Sequence, residues 1–126
     1  MTSAALAAGY KEEFLLSTGL SIRHEYNSQF IDRFRDRVIF PVHNISGRIV
    51  AFGGRILGTN KNVGKYQNSP ESEIYSKKRE LYGLYFAKKA IQQQDYAIMV
   101  EGYTDVISMH QAGVENVVSS SGTSLT

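Results

Sequence analysis

The chain has 126 residues, 42% apolar and 21% charged, with a net charge of +2 and no cysteine, which suits one compact globular domain or two small lobes. No run of about 18 apolar residues occurs, and the opening MTSAALAAGY lacks the charged and long apolar regions of a secretory leader, so the sequence reads as soluble and cytosolic, without a membrane span. The absence of cysteine excludes disulfides, thiol nucleophiles and thiolate-held zinc, and with three scattered histidines any metal falls chiefly to Glu and Asp.

Charge is unevenly spread. Residues 31–79 carry ten Lys or Arg against four Asp or Glu, a net of +6, and the remainder carries four against eight, a net of −4. Such a basic stretch is either a solvated face or a surface for phosphate groups.

In chain order, AALAAGYKEEFLLSTGL predicts two short helices broken at Gly9. IRHEYNSQFIDRF is polar and reads as a loop running into a turn of helix. RVIFPVHNISGRIVAFGGRIL holds two β-branched and aromatic runs, 38–43 and 48–52 onward, separated by Asn44, Ile45, Ser46 and Gly47, which is a hairpin pattern. Gly53 and Gly54 interrupt the second run, as at a bulge or where another backbone or a ligand comes close. GTNKNVG reads as a flexible loop, and KYQNSPES as an extended segment that stops at Pro70. In KKRELYGLYFAKKAIQQQ, helical spacing links Leu81, Leu84, Tyr85, Ala87 and Ile91. Neither an internal repeat nor a low-complexity linker occurs.

From residue 96 the pattern becomes strand (96–100), helix (103–112) and strand (117–119), one βαβ unit of a parallel sheet whose first strand is buried on both faces. Glu101 then sits at the carboxyl end of its strand and Asp105 in the first turn of the helix. In open α/β sheets that crevice is where ligands bind. The spacing alone fits either a metal-ligating pair or a solvent-exposed turn glutamate beside an aspartate favoured by the helix N-terminus.

The motif EGYTDV, after an apolar strand and before a helix and VVSSSGTSLT, resembles the first half of a Toprim domain, the metal-binding fold shared by bacterial primases, type IA and type II topoisomerases and some nucleases. RFRDRVIFPVHNISGRIVAFGGRIL, KYQNSPES and IYSKKRELYGLYFAKKAI resemble the catalytic core of bacterial DNA primases. AGYKEEFLLSTGL is similar to the helical segment that precedes it. The resemblance covers nearly the whole chain and implies a fold of mixed class. N-terminal helices and a small antiparallel β region, residues 1–94, would precede the first βαβ unit of a parallel-sheet Toprim domain, residues 95–126.

The resemblance also implies roles. Glu101 matches the Toprim glutamate of divalent-metal catalysis and Asp105 the aspartate close behind it, so both are expected as catalytic and metal-binding carboxylates for Mg²⁺ or Mn²⁺. Arg55, Lys65 and Lys77 match basic residues lining the active-site groove. Tyr66 and Asn68 flank Lys65 at positions associated with nucleotide binding, and Arg35 and Arg37 match the RFR and DR positions near the template groove. The implied partners are a single-stranded DNA template, ribonucleoside triphosphates and a replicative helicase, the last through a C-terminal region absent from this chain. The implied setting is the bacterial cytoplasm at the replication fork.

The chemistry requires these residue types. In primer extension a 3′ hydroxyl attacks the α-phosphate of a nucleotide, hard carboxylate oxygens suit the divalent ion that offsets charge, and Lys and Arg hold phosphates. No side chain has to act as a covalent nucleophile. A Toprim site also draws an Asp-x-Asp pair from a later strand, which this sequence does not reach, and the family's cysteine-bearing zinc domain is missing, so the chain is expected to be an excised fragment holding half of a metal site. Two other readings are a Toprim fragment of a topoisomerase or nuclease, against which KYQNSPES and ELYGL argue, and a non-catalytic single-stranded nucleic-acid-binding module using the +6 region.

Overall fold

A computed structural model describes residues 1–59 and 62–121. The elements run α1 (Thr2–Ala7), α2 (Glu12–Ser17), β1 (Ser21–Arg23), β2 (Phe30–Asp32), β3 (Arg37–His43), β4 (Ile49–Ile56), β5 (Tyr66–Asn68), α3 (Leu84–Gln94), β6 (Ile98–Val100), α4 (Tyr103–Gln111) and β7 (Val117–Ser119). The sheets are β1-β2, β3-β4-β5 and β6-β7. This is the expected class, helices and small antiparallel sheets followed by one parallel strand–helix–strand unit. None of the described helices is long and apolar enough to cross a membrane. The chain divides into two compact units, Met1–Phe40 with Phe52–Ser72, and Pro41–Ala51 with the described residues from Glu73 onward.

In the first unit, the segment expected as a loop and helical turn is a hairpin. β1 and β2 pair antiparallel with Ser21 opposite Asp32 and Arg23 opposite Phe30. Its loop is closed by backbone bonds between His24 and Gln29 (2.8 Å) and between Ser28 and His24 (3.0 Å). The loop satisfies its own polar groups through the Asn27 side chain, which accepts the Gln29 N–H at 3.0 Å. With strands of three residues, no apolar alternation is long enough to register in the sequence.

The start of α1 is anchored on this hairpin. Thr2 is buried; its N–H donates to Asp32 Oδ1 at 2.6 Å, its hydroxyl also donates to that carboxylate, and the same hydroxyl lies 2.7 Å from Ser21 Oγ. The Thr2 hydroxyl, followed by its backbone N–H, holds the Asp32 carboxyl below its ordinary value. A carboxylate depressed in the folded state contributes stability above its unfolded pKa and loses that contribution as pH falls through the folded one. The anchor is therefore intact at neutral pH and released in acid. Thr2→Ala removes the hydroxyl donor, so the melting temperature of this variant should fall less steeply below about pH 4 than that of the unaltered chain. Identical acid limbs for the two proteins would refute the anchor.

β4 continues without a bulge through its glycine pair, with Gly53, Gly54 and Arg55 opposite Asn68, Gln67 and Tyr66 of β5. The close approach expected there comes from the chain's own side chains: a Cβ on Gly54 would lie 3.0 Å from both Arg37 Cδ and Phe34 Cδ1. The loop expected over 58–64 includes residues 60 and 61, which lie outside the described residues, as does the end of VVSSSGTSLT beyond residue 121.

In the second unit, Val42, Ala51 and Tyr75 form a buried cluster with Val50 and Tyr82 packed against it. The β3–β4 turn is the expected one, with Asn44 Oδ1 accepting the N–H groups of Ser46 and Arg48, both at 3.0 Å. The helical spacing begins at Leu81, but α3 begins at Leu84, because Gly83 holds the left-handed conformation (φ +86) that a right-handed helix cannot include. The residues before it make turns, and Tyr82 exchanges backbone hydrogen bonds of 2.8 and 3.1 Å with Ser119 of β7.

β6 and β7 pair in parallel, Ile98 opposite Val117 and Val100 opposite Ser119. All three β7 residues are buried. β6 is not, contrary to expectation: Ile98 and Val100 are half-buried and Met99 is 42% exposed. Among the described residues β6 has a partner on one edge only, which leaves its apolar run partly uncovered.

Candidate functional site

Glu101 follows the last residue of β6 and is exposed. Among the described residues no ion pair holds its carboxylate. Gly102 is the N-cap of α4, with extended backbone. Tyr103 then turns inward, buried edge-on against Tyr82 with ring centroids 4.5 Å apart, and burial pushes both phenols above their ordinary values. Tyr103 and Val106 bury the inner face of α4, while Asp105 in its first turn stays exposed and Asp105 Oδ2 accepts the Gly102 N–H at 3.2 Å. The sequence spacing thus brings the two carboxylates to one strand-to-helix junction.

Among the described residues no group of three or more His, Asp or Glu is gathered to hold a metal. Mg²⁺ commonly takes only one or two protein carboxylates and keeps several waters. Exposed at the strand end and, among the described residues, without an ion pair, Glu101 fits that role. Lys77 belongs to the same unit; it is half-buried and already engaged in an interaction, so it is not a simple exposed charge.

The remaining basic candidates lie in the first unit. Arg55 and Tyr66 face each other across β4 and β5, with the guanidinium 5.8 Å from the ring centroid, a cation–π geometry. Tyr66 is 45% exposed, so it is not a core residue and its ring is open to solvent. Arg37 is structural as well as cationic: it donates to the carbonyls of Gly64 (2.9 Å), Lys65 (3.2 Å) and Gly54 (3.3 Å). These bonds fix the backbone that presents Lys65, whose side chain is exposed. Arg35 is exposed and lines, with Arg33, Arg37 and Gln67, a cavity of about 610 Å³. Asn68 is half-buried in β5.

Arg33 was not among the sequence candidates. Its Nη2 donates to the Asn68 carbonyl at 2.9 Å, while its buried Nε has no hydrogen-bond partner among the described residues, and burial lowers its pKa from the ordinary arginine value. The available signal was the alternation of Arg33, Arg35 and Arg37 in RFRDR. What hid it was the need to know that the segment is not helical.

The residues from 95 on, a parallel strand–helix–strand with a glutamate at the first strand end, match the Toprim domain family over residues 95–126, which sets the class. Residues 1–88 match the family "DNA primase catalytic core, N-terminal domain", and the chain belongs to that family. It is 52% identical over 109 residues to DNA primase of Halalkalibacterium halodurans, covering 86% of this chain and 18% of the relative. It is 50% identical over 118 residues to DNA primase of Clostridium acetobutylicum, covering 94% and 19%. The chain therefore spans less than a fifth of the length of these relatives. Among solved structures, the RNA polymerase domain of Mycobacterium tuberculosis primase superposes with a TM-score of 0.90 at 36% identity, over 99% of this chain and 40% of that one. A primase catalytic domain bound to single-stranded DNA gives 0.80 at 40% identity, over 97% and 40%.

Proposed function

We propose that this chain is a segment of a DNA primase, the template-directed RNA polymerase that lays RNA primers on single-stranded DNA. The observation that carries the proposal is continuity: a match to the primase core runs on into a Toprim match at whose strand end Glu101 stands exposed. In this reading residues 1–94 are the N-terminal subdomain of the polymerase core and 95–126 the first part of the Toprim domain. Glu101 holds Mg²⁺ or Mn²⁺, which when bound offsets charge on the reacting phosphate. Arg35, Arg37, Arg55, Lys65 and Lys77 hold template or triphosphate oxygens, and Tyr66 and Asn68 border the nucleotide. Arg37 is held in place before substrate arrives by its bonds to the Gly54, Gly64 and Lys65 carbonyls, so less reorganisation is needed there when negative charge builds on the transferred phosphate.

The partners in this reading are single-stranded DNA, as in the solved DNA-bound primase domain, ribonucleoside triphosphates, and a replicative helicase that meets the parent enzyme outside this segment. The setting is the bacterial cytoplasm at the replication fork. The deciding experiment is metal-dependent, template-directed primer synthesis by a full-length primase carrying this segment. No synthesis with either Mg²⁺ or Mn²⁺ would refute the assignment.

The basic surface gives a test on the 126 residues themselves. Single-stranded DNA should bind weakly and with little sequence preference, and log affinity should fall against log salt with a slope of about −0.7 per phosphate neutralised. Lys65→Ala removes an exposed charge, so stability should change by no more than about 0.5 kcal/mol. The salt slope should become shallower by about one phosphate's worth. Fluorescence anisotropy across a salt series checks both, and a slope unchanged by the substitution would place Lys65 outside the interface.

A further inference from the structure

We infer that Asp105 is a positioning residue for Glu101 and not a second direct ligand, an inference that rests on the metal-dependent reading of Glu101 above. The N–H that Asp105 Oδ2 accepts, at 3.2 Å, belongs to the peptide joining Glu101 to Gly102. A peptide is planar, so holding its N–H fixes the orientation of the whole unit and with it the backbone torsion that aims the Glu101 side chain. Gly102 has no side chain to return a bond to the helix, so only the reciprocal half of a capping box exists here. Glycine is also the least restrained residue. Without the Asp105 bond, a swivel would follow directly after the glutamate. Glu101 itself is exposed and, among the described residues, unpaired, so its direction is set through this backbone and not by side-chain partners.

Asparagine separates the two roles. Its amide oxygen can still accept the Gly102 N–H, but it lacks the negative charge that a hard cation favours. The experiment uses the 126-residue chain with Mn²⁺ alone as probe, reading paramagnetic broadening of the amides at 101 and 102 together with hydrogen exchange at Gly102. Asp105→Asn should keep both readouts within about twofold, whereas Asp105→Ala should speed Gly102 exchange and weaken Mn²⁺ at Glu101 by about tenfold, the usual scale for losing an outer-shell partner. A control, Ser108→Gly at an exposed position of α4, loosens the helix and should leave both readouts unchanged, which a merely structural role for Asp105 would not predict.

Loss of Mn²⁺ broadening in Asp105→Asn as complete as in Asp105→Ala would make Asp105 a direct ligand and overturn the inference. Unchanged Gly102 exchange in Asp105→Ala would overturn it as well. If Mn²⁺ fails to broaden residue 101 in the unaltered chain, the metal reading of Glu101 fails, and the exchange comparison still decides whether Asp105 holds the turn.

Discussion

Glu101→Gln in a full-length primase carrying this segment is expected to reduce primer synthesis by about a hundredfold or more, the scale for losing one preorganised electrostatic contact to a transition state. Glutamine keeps the size and reach of the side chain and removes the charge that a divalent ion requires. The same substitution should leave stability within about 0.5 kcal/mol, because an exposed side chain without an ion pair contributes little to folding. The combination is diagnostic: a structural glutamate would lose stability and activity together. Primer yield on a single-stranded template, measured beside thermal unfolding, checks both halves. Near-normal synthesis by the variant would remove Glu101 from the chemistry.

Gly19→Ala is expected to be the most damaging single-methyl change to the fold. Gly19 follows α2 with φ +74, and an added Cβ would lie 2.1 Å from Pro70 Cδ and 2.6 Å from Pro70 Cγ. The proline ring cannot rotate away, so the backbone must move. Left-handed strain and overpacking each cost about 1–2 kcal/mol, together about 3 kcal/mol, a large share of the stability of a small domain. The melting temperature should fall by about 10 °C. Gly9 provides the internal comparison: its φ is +93, but none of the described residues lies within 4 Å of an added Cβ. Gly9→Ala therefore incurs only the conformational part of the cost. Equal losses in the two variants would show that contact with Pro70 is not what demands glycine at position 19.

Local signals in the sequence determined the elements whose pattern is long or chemically marked. The hairpin over β3 and β4 was legible from two apolar runs around Asn44 and Gly47, and β6, α4 and β7 from a strand–helix–strand pattern that also placed Glu101 and Asp105 at one junction. Both rest on interactions between residues near in sequence, which composition reports directly. Tertiary structure alone decided the rest. The β1–β2 hairpin has strands too short to show a period, and it depends on Thr2 and Asp32, thirty residues apart. α3 starts at Leu84, past Leu81 where its apolar spacing begins, because Gly83 takes a left-handed backbone and Tyr82 is drawn into bonds with Ser119. Arg37 and Arg33 look in sequence like two more cations of a basic stretch, yet each spends donors on distant carbonyls. A residue's charge is written in the sequence, but how many of its hydrogen bonds remain for a ligand is fixed only when the fold has satisfied its own backbone.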